Sequence, residues 1–378
     1  ADTTMVISKP IDSRTRCQPT KKSPGVGSLV HISPKCRPAR PAWMRLRTRI
    51  PANRRGFSEK DLFWTGTGYN WLSSGGISAT DFDHLTSAQP CPRLEDLMRL
   101  ATIHTAGGRR AAVWCQTASD ELWVDLAEAS QVLGLGSLGH SMRAVLAQEG
   151  PGLATPRQIV SELKHAPLPP DISSWPINGV RLAPPVPDPG VLIDFYAFEE
   201  HVRRSRARRG LDIVPEWFDY PVYYRSNQRA LLGDAETIQF PAGEDRMDFE
   251  LELAAVLGDR IESPTVEEAE AAIAGFCLFN DWSARGIQAE VMKVGLGPNK
   301  GKDFATSIGP WLVTPDELGD LGSLELVARV NGEQWSKGTV GTMNWRWGEM
   351  IAFAADGVRF EAGDVFGSGT VGGGCGLE

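Results

Sequence analysis

Long apolar runs and paired cysteines are both missing from this chain of 378 residues. No stretch approaches the roughly 18 consecutive apolar residues of a membrane-spanning helix, so we expect no membrane partner. The six cysteines are scattered and none form a CxxC pair. That excludes a zinc ribbon and disfavours a disulfide framework at this length. A reducing cytoplasm is the expected location.

Basic charge is also scarce, because 39 Lys and Arg are set against 47 Asp and Glu, for a net charge of −8. An acidic surface repels phosphate backbones, so we expect no nucleic-acid partner. The charge is unevenly placed, since residues 1–55 hold 13 basic side chains and only two acidic ones. Such asymmetry indicates a tail or a junction at this end of the chain.

Residues 1–97 lack apolar periodicity and match no pattern that we can assign. Three interpretations remain open: a transit peptide, a basic nucleic-acid arm, and an extension that is not native to the domain. The many prolines up to residue 41 would break the amphipathic helix that a transit peptide needs. We favour a disordered or non-native extension, because this composition buries little apolar surface.

Two ordered domains are expected after this segment. Residues 98–185 predict a small β-rich N-terminal domain, with a hairpin at the glycine turn 106–109 and helices over 141–148 and 156–165. A proline-rich stretch then marks a boundary near residue 185. Residues 186–378 predict a second domain of short strands with few helices, so the fold class is α+β and predominantly β.

Acidic residues alternate with apolar ones over 247–253. Asp248, Glu250 and Glu252 fall on one face of the predicted strand. The simpler interpretation is a solvated strand edge. However, the strand continues as an apolar run, so one of its ends is buried and the carboxylates at the other end fit the floor of a cleft. Neighbouring carboxylates about 7 Å apart on one face repel each other unless a cation lies between them. Oxygen ligands favour Mg²⁺, Mn²⁺ or Ca²⁺.

Two further strands end in groups that can do chemistry. Asp281 follows a buried strand, where a carboxylate is either functional or simply caps a helix. Asp194 and Tyr196 end another strand, and His201 follows as the only histidine after His165. A lone histidine is more often structural, but the charged neighbours of His201 favour a titratable group.

Glycine-rich stretches do not indicate a nucleotide site. In 297–302 the glycines are too close for a P-loop, and Asp303 stands where Ser or Thr is required. Residues 367–372 match GxGxxG but lie six residues from the end of this sequence. No second βαβ strand can follow there, so we exclude a dinucleotide site.

Six short motifs in the second half resemble the fumarylacetoacetate hydrolase family, in the family's order. They lie at 194–201, 220–224, 248–252, 280–288, 301–311 and 369–371. For residues 186–378 the resemblance implies a catalytic domain with a mixed β-roll, usually a homodimer, that acts on small 1,3-diketo or 2-oxo acids, as in aromatic catabolism and tyrosine degradation.

The resemblance also implies roles for individual residues. It gives a metal site, with Mg²⁺ first and Ca²⁺ or Mn²⁺ as alternatives, made by Asp194, Glu250, Glu252 and Asp281, with Lys302 and Thr306 beside it. His201 aligns with the general base, and Lys302 with a catalytic cation. Substrate-contacting positions correspond to Tyr196, Tyr224, Gln288 and Thr370.

Departures from the family pattern limit these expectations. The sequence ends at Glu378, so we expect it to lack the glutamate that orients the histidine, with Glu199 and Glu200 as weak substitutes. Three functions remain open: a metal-dependent C–C hydrolase, a related decarboxylase, hydratase or isomerase, and a non-enzymatic binding protein that uses the basic N-terminus.

Overall fold

A computed structural model describes residues 2–8, 44–49 and 98–378. What we expect of 9–43 and 50–97 lies outside the described residues. The strands are β1 (Asp2–Ser8), β2 (Met44–Arg49), β3 (Arg99–Thr105), β4 (Gly108–Gln116), β5 (Glu121–Asp125), β6 (Ser174–Pro176), β7 (Leu192–Phe195), β8 (Tyr223–Arg225), β9 (Leu231–Leu232), β10 (Glu236–Thr237), β11 (Met247–Asp248), β12 (Leu251–Leu257), β13 (Ile261–Glu262), β14 (Ile273–Asp281), β15 (Ser283–Ala284), β16 (Thr306–Val313), β17 (Glu325–Val330), β18 (Glu333–Thr339), β19 (Arg359–Phe360) and β20 (Val365–Gly367).

Helices are fewer than strands in the described residues. They are α1 (Leu126–Val132), α2 (Met142–Glu149), α3 (Ala154–Leu163), α4 (Glu199–Ala207), α5 (Val266–Ala271), α6 (Arg285–Val291), α7 (Pro315–Leu318) and α8 (Trp347–Ala355). None of these helices combines the length and the apolar character needed to cross a membrane. The excess of strands confirms the prediction of a predominantly β, α+β fold.

One large sheet runs through the whole of 98–378. Its strand order is β6-β5-β4-β3-β16-β14-β12-β20-β7-β8, with β9 beside β16. Strands β3 to β6 precede residue 185 and the others follow it, so the sheet is continuous across the predicted boundary. The join is β3 against β16, through Leu100 opposite Leu312 and Arg99 opposite Val313. The predicted hairpin is present, with β3 and β4 paired up to Thr105 and Gly108.

Strands β12 and β14 form the centre of this sheet, and every residue in both is buried. The side chains of β12 alternate between two apolar clusters. Leu251 and Leu253 pack in the cluster that holds α5 and α8, whereas Ala254 and Val256 pack in the one that holds α1, α2 and α3. Burial on both faces explains why these strands are almost continuously apolar. Their few acidic residues are therefore exceptional.

Strands β1 and β2 belong to a second sheet, of order β10-β2-β1-β17-β18. Met5 and Leu46 are each 1% exposed and pack in the larger core. Thr48 on β2 is also buried and donates its hydroxyl to Ser307 Oγ on β16, over 3.2 Å. The expectation that residues 1–97 lie outside the fold is therefore wrong for these two segments. Composition hid a short alternation of Met44, Leu46 and Thr48 with arginines.

The N-terminus of α6 is held by a buried carboxylate from a preceding loop. Glu244 accepts hydrogen bonds from the backbone N–H groups of Arg246, Gly286 and Ile287, over 2.7, 3.2 and 2.9 Å. Burial acts to raise the pKa of Glu244, but these three donors outweigh burial and lower it below the ordinary value. Because α6 begins at Arg285 and carries Gln288, Glu244 fixes the position of two residues near the site.

Substitution of Leu46 tests whether β2 is part of the core. We expect Leu46→Ala to lower the free energy of unfolding by about 2–5 kcal/mol, as for other buried leucines. Leu296→Ala is the matched control, because Leu296 is 92% exposed and should change stability by less than about 0.5 kcal/mol. Urea unfolding measures both. Equal, small effects in the two variants would show that β2 does not pack in the core.

Loss of the Glu244 carboxylate should give a pH-dependent change in stability. Because the pKa of Glu244 is lowered in the folded state, the ionised carboxylate stabilises the fold fully at pH values above 4.5, the ordinary pKa. This stabilisation is lost as the pH falls through the lowered pKa. We expect Glu244→Gln to cost about 1 kcal/mol at pH 7, and the difference from the parent to shrink at pH 4. Urea unfolding at both pH values measures it. Exposed Glu121 provides the control variant Glu121→Gln, and a difference independent of pH would contradict the expectation.

Candidate active site

Three buried carboxylates meet at one end of the central strands. Asp194 lies on β7, Glu252 on β12 and Asp281 at the end of β14, and these strands are near neighbours in the sheet. The three side chains are at most 3% exposed. One oxygen from each lies within 4.8 Å of the oxygens of the other two. Sheet order therefore brings together residues that are distant in the sequence.

Backbone and hydroxyl donors from the glycine-rich turn after β20 support two of these carboxylates. Gly369 N–H points at Asp194 Oδ1 and Glu252 Oε2, over 3.0 and 3.2 Å. Thr370 Oγ1 donates to Glu252 Oε1 over 3.1 Å. Gly369 has a φ of +81°, and a Cβ there would lie 2.5 Å from the carbonyl oxygen of Phe195. The turn thus needs glycine because the backbone approaches the site so closely.

Asp281 keeps one oxygen available. Its Oδ2 accepts from Tyr224 Oη and from Lys302 Nζ, each over 2.6 Å. Its Oδ1 is buried, and no hydrogen-bond donor among the described residues reaches it. A buried carboxylate oxygen without a partner is costly, so this atom indicates a position for a ligand.

The charges of this cluster fit a hard divalent cation. Burial raises the pKa of Asp194, Glu252 and Asp281, and repulsion from neighbouring carboxylates adds to the rise in each. A divalent cation among them would reverse that repulsion, and carboxylate oxygens are the ligands that Mg²⁺, Mn²⁺ and Ca²⁺ prefer. The residues present therefore suit such an ion.

Glu250 lies beside this triad rather than within it. Its Oε2 contacts Lys302 Nζ, and its Oε1 lies 2.8 Å from Arg285 Nη2 and 4.0 Å from His201 Nε2. Burial would raise the pKa of Glu250, but the charges of Lys302 and Arg285 lower it well below the usual range. Its place as a fourth metal ligand stays a prediction, as does that of Thr306, whose hydroxyl lies 3.4 Å from Ser226 Oγ.

Lys302 connects Glu250 with the triad. Its ammonium group contacts Glu250 and Asp281, and it is only 3% exposed. Burial acts to lower the pKa of Lys302, but the two carboxylates outweigh it and raise the pKa above the ordinary value. The lysine is therefore a fixed positive charge at the centre of the site.

The imidazole of His201 is 5% exposed and lies on α4. Its Nδ1 contacts Glu378 Oε1, and Glu378 Oε2 accepts from Gly373 N–H over 2.6 Å. Burial would raise the pKa of Glu378, but the bond to His201 lowers it. The expectation that the chain lacks a glutamate to orient the histidine is wrong, because the glycines at 372–374 turn the chain back and Glu378 is that residue.

Glu199 and Glu200, the substitutes considered from the sequence, do not contact His201. They pair with Arg203 and Arg204, one helical turn further along α4. Both ion pairs are exposed to solvent, where they contribute little stability. The carboxylate partner of His201 is therefore Glu378, which is distant in the sequence, and not a neighbour on α4.

Arg285 is a site residue that sequence reasoning missed. Its guanidinium donates to Asp248 Oδ2 through Nε and Nη2, over 2.9 and 2.7 Å, and to Gln288 Oε1 through Nη1 over 3.0 Å. The same Nη2 lies near Glu250. Asp248 also accepts from Gly376 N–H over 2.8 Å, which ties the C-terminal segment to the site. The position of Arg285 within the 280–288 motif was the available signal.

The expected substrate-contacting residues surround this arrangement. Tyr224 and Thr370 donate to Asp281 and Glu252, as described above, and Gln288 contacts Arg285. The rings of Tyr196 and His201 lie nearly perpendicular to each other, with ring centroids 5.4 Å apart, and the Tyr196 hydroxyl bonds to Ser205 Oγ. The structure thus brings all the predicted site residues to one region, although contact with a substrate stays a prediction.

Known proteins are similar to this chain in sequence and in fold. A Burkholderia multivorans protein with a provisional hydrolase name is 36% identical over 168 residues, which cover 43% of this chain and 56% of that protein. The chain thus spans little more than half the length of that relative. A 2,4-didehydro-3-deoxy-L-rhamnonate hydrolase from a Sphingomonas species is 29% identical over 203 residues, which cover 53% and 68%.

The crystal structure of a Mycobacterium smegmatis protein provisionally named HpcE has a TM-score of 0.57 and 27% identity, covering 74% of this chain and 88% of that one. Residues 190–377 match the family described as fumarylacetoacetate (FAA) hydrolase, C-terminal. Because that match spans the strands and helices that position the three carboxylates, His201 and Lys302, the chain belongs to the fumarylacetoacetate hydrolase family.

Proposed function

We propose that this chain is a cation-dependent hydrolase that cleaves a C–C bond in a small 1,3-diketo acid. The observation that carries the proposal is the unpartnered Oδ1 of Asp281 in a buried carboxylate triad, with a histidine–glutamate pair nearby. The triad suits a divalent cation and the pair suits activation of water. Curated relatives named as hydrolases support the reaction class.

Asp194, Glu252 and Asp281 would hold the cation, with Mg²⁺ first and Mn²⁺ or Ca²⁺ as alternatives. A bound divalent cation supplies Lewis-acid polarisation of the substrate's oxygens. Tyr224 and Thr370 keep two of these carboxylates in place by donating to the oxygens that face them. Lys302 holds the orientation of Asp281 and balances part of the negative charge.

His201 is the proposed general base. The Glu378 carboxylate at Nδ1 favours the tautomer that carries its proton there, which leaves Nε2 as the proton acceptor. Protonation of Nε2 creates an imidazolium, which the nearby Glu250 carboxylate stabilises at 4.0 Å. The ring of Tyr196 packs nearly perpendicular to the imidazole and restricts it on one side.

The proposed reaction consumes one water molecule. His201 takes a proton from the water molecule, and the oxygen of that water adds to one carbonyl carbon of the substrate. The adjacent C–C bond then breaks, its electron pair stays on the departing carbon, and the imidazolium returns the proton to that carbon. Lys302 and Arg285 are fixed positive charges that stabilise the negative charge developing during bond cleavage, and Gln288 adds an amide donor.

Removal of a triad carboxylate should weaken metal binding. We expect Glu252→Gln and Asp281→Asn each to lower Mg²⁺ affinity at least about tenfold. Loss of a group that only hydrogen-bonds to a metal ligand already lowers metal affinity by about 10–100-fold, so loss of a ligand should cost no less. Isothermal titration calorimetry measures it. The control is Glu262→Gln, an exposed glutamate on β13. Unchanged Mg²⁺ affinity in both triad variants would contradict the assignment.

Loss of the base should reduce turnover without loss of metal. We expect His201→Ala to lower kcat by about 10²–10⁴-fold and to keep Mg²⁺ affinity nearly unchanged, because His201 is not proposed as a ligand. Glu378→Gln should lower kcat in the same direction. His140→Ala is the control, since His140 is exposed and on another part of the fold.

The assay uses Mg²⁺ with fumarylacetoacetate and a panel of acylpyruvates, with identification of the products. Two acids from each cleaved substrate support hydrolysis. Near-parental turnover in His201→Ala would make this route wrong. A single product of unchanged mass would indicate isomerisation, and release of CO₂ would indicate decarboxylation.

A further inference from the structure

A thiol lies against the proposed base. One ligand atom each of His201, Cys375 and Glu378 fall within 4.8 Å of one another. Cys375 is 5% exposed and takes no part in the proposed reaction. Imidazole, thiol and carboxylate together form a donor set that differs from the all-oxygen triad of Asp194, Glu252 and Asp281.

We propose that His201, Cys375 and Glu378 form a second, inhibitory metal site that takes a soft divalent cation such as Zn²⁺. Sulfur and imidazole nitrogen are ligands that select Zn²⁺, whereas carboxylates alone suit Mg²⁺ or Ca²⁺. Three protein ligands leave the fourth tetrahedral position for water. The two sites are therefore distinguished by the chemistry of their ligands.

Three contacts anchor the segment around Cys375 and hold the cluster together. Cys375 forms an isolated β-bridge with Glu250, and the neighbouring Gly376 N–H donates to Asp248 over 2.8 Å. Glu378 accepts from Gly373 N–H over 2.6 Å. These contacts place the thiol and the carboxylate on the same imidazole without any contribution from a cation.

A role for Cys375 as a nucleophile does not fit its surroundings. Burial, followed by the charge of Asp248, raises the pKa of its thiol above the ordinary value, so the thiol is neutral at pH 7. The thiolate is the reactive form of cysteine, and a buried neutral thiol is inert. A coordinated zinc ion deprotonates a thiol outright, so burial of the thiol does not prevent it from binding a metal.

Occupancy of this site would block the proposed reaction. An ion bound to the imidazole Nδ1 replaces the proton that links His201 to Glu378. The imidazole can then no longer act as the base in proton transfer. The inhibition rests on the proposed function, whereas the metal site does not. A measurement of binding without substrate therefore tests the two separately.

Cobalt is the probe for binding, because Co²⁺ substitutes for Zn²⁺ and gives a thiolate-to-cobalt charge-transfer absorption when sulfur is a ligand. The full chain is first saturated with Mg²⁺ to occupy the carboxylate triad and is then titrated with Co²⁺. We expect the band in the parent and in Cys115→Ala, where the altered thiol packs in the cluster that holds α1 to α3. We expect its loss in Cys375→Ser.

Two results overturn the site: no charge-transfer band in the parent, or a band of equal strength in Cys375→Ser. If Cys375→Ser does not fold, by circular dichroism, Glu378→Gln decides, because it keeps the thiol and removes one ligand. At least a tenfold weaker Co²⁺ affinity in Glu378→Gln supports the site, and unchanged affinity overturns it.

Inhibition is measured on the same proteins with Mg²⁺ in excess. We expect the Zn²⁺ concentration for half inhibition to rise at least tenfold in Cys375→Ser and to stay unchanged in Cys115→Ala. Equal inhibition in Cys375→Ser and the parent would overturn the inhibitory role. An inactive parent that still shows the cobalt band would contradict the proposed hydrolase and leave the metal site supported.

Discussion

Mutual repulsion among three buried carboxylates is the interaction on which the rest of the site depends. Asp194, Glu252 and Asp281 lie where water cannot solvate their charge, and hydrogen-bond donors and a cation contact them instead. The turn at Gly369, the hydroxyls of Tyr224 and Thr370, and the ammonium of Lys302 all serve that end. The triad still leaves Asp281 Oδ1 open, so a ligand that binds only the folded chain would stabilise it.

Periodicity alone located part of this site. The alternation over 247–253 places Glu250 and Glu252 on one face, but the structure interrupts the strand between β11 and β12. Glu250 falls in that interruption, beside Lys302 and Arg285. The convergence of β7, β12 and β14 could not be derived from the pattern, because sheet order depends on contacts between distant segments. The family resemblance supplied that convergence instead.

Residues that were missed share a physical reason: no period marks them. Glu378 follows a run of glycines, and its importance comes only from the turn that returns it to His201. Arg285 lies within a recognised motif, but its role depends on contacts with Asp248 and Glu250. In the N-terminal segment, the alternation around Leu46 covers too few residues to outweigh a composition rich in proline and arginine.

The join between β3 and β16 sets the size of the unit that folds. Ile308 and Leu312 on β16 pack in the same cluster as Leu100 and Val113, which precede the region matched by the family. An isolated 190–377 fragment would therefore expose both an unpaired strand edge and an apolar face, the two features that lead to aggregation. The segment that matches the family is thus smaller than the packed unit, and the stability of the candidate site residues depends on strands that carry none of them.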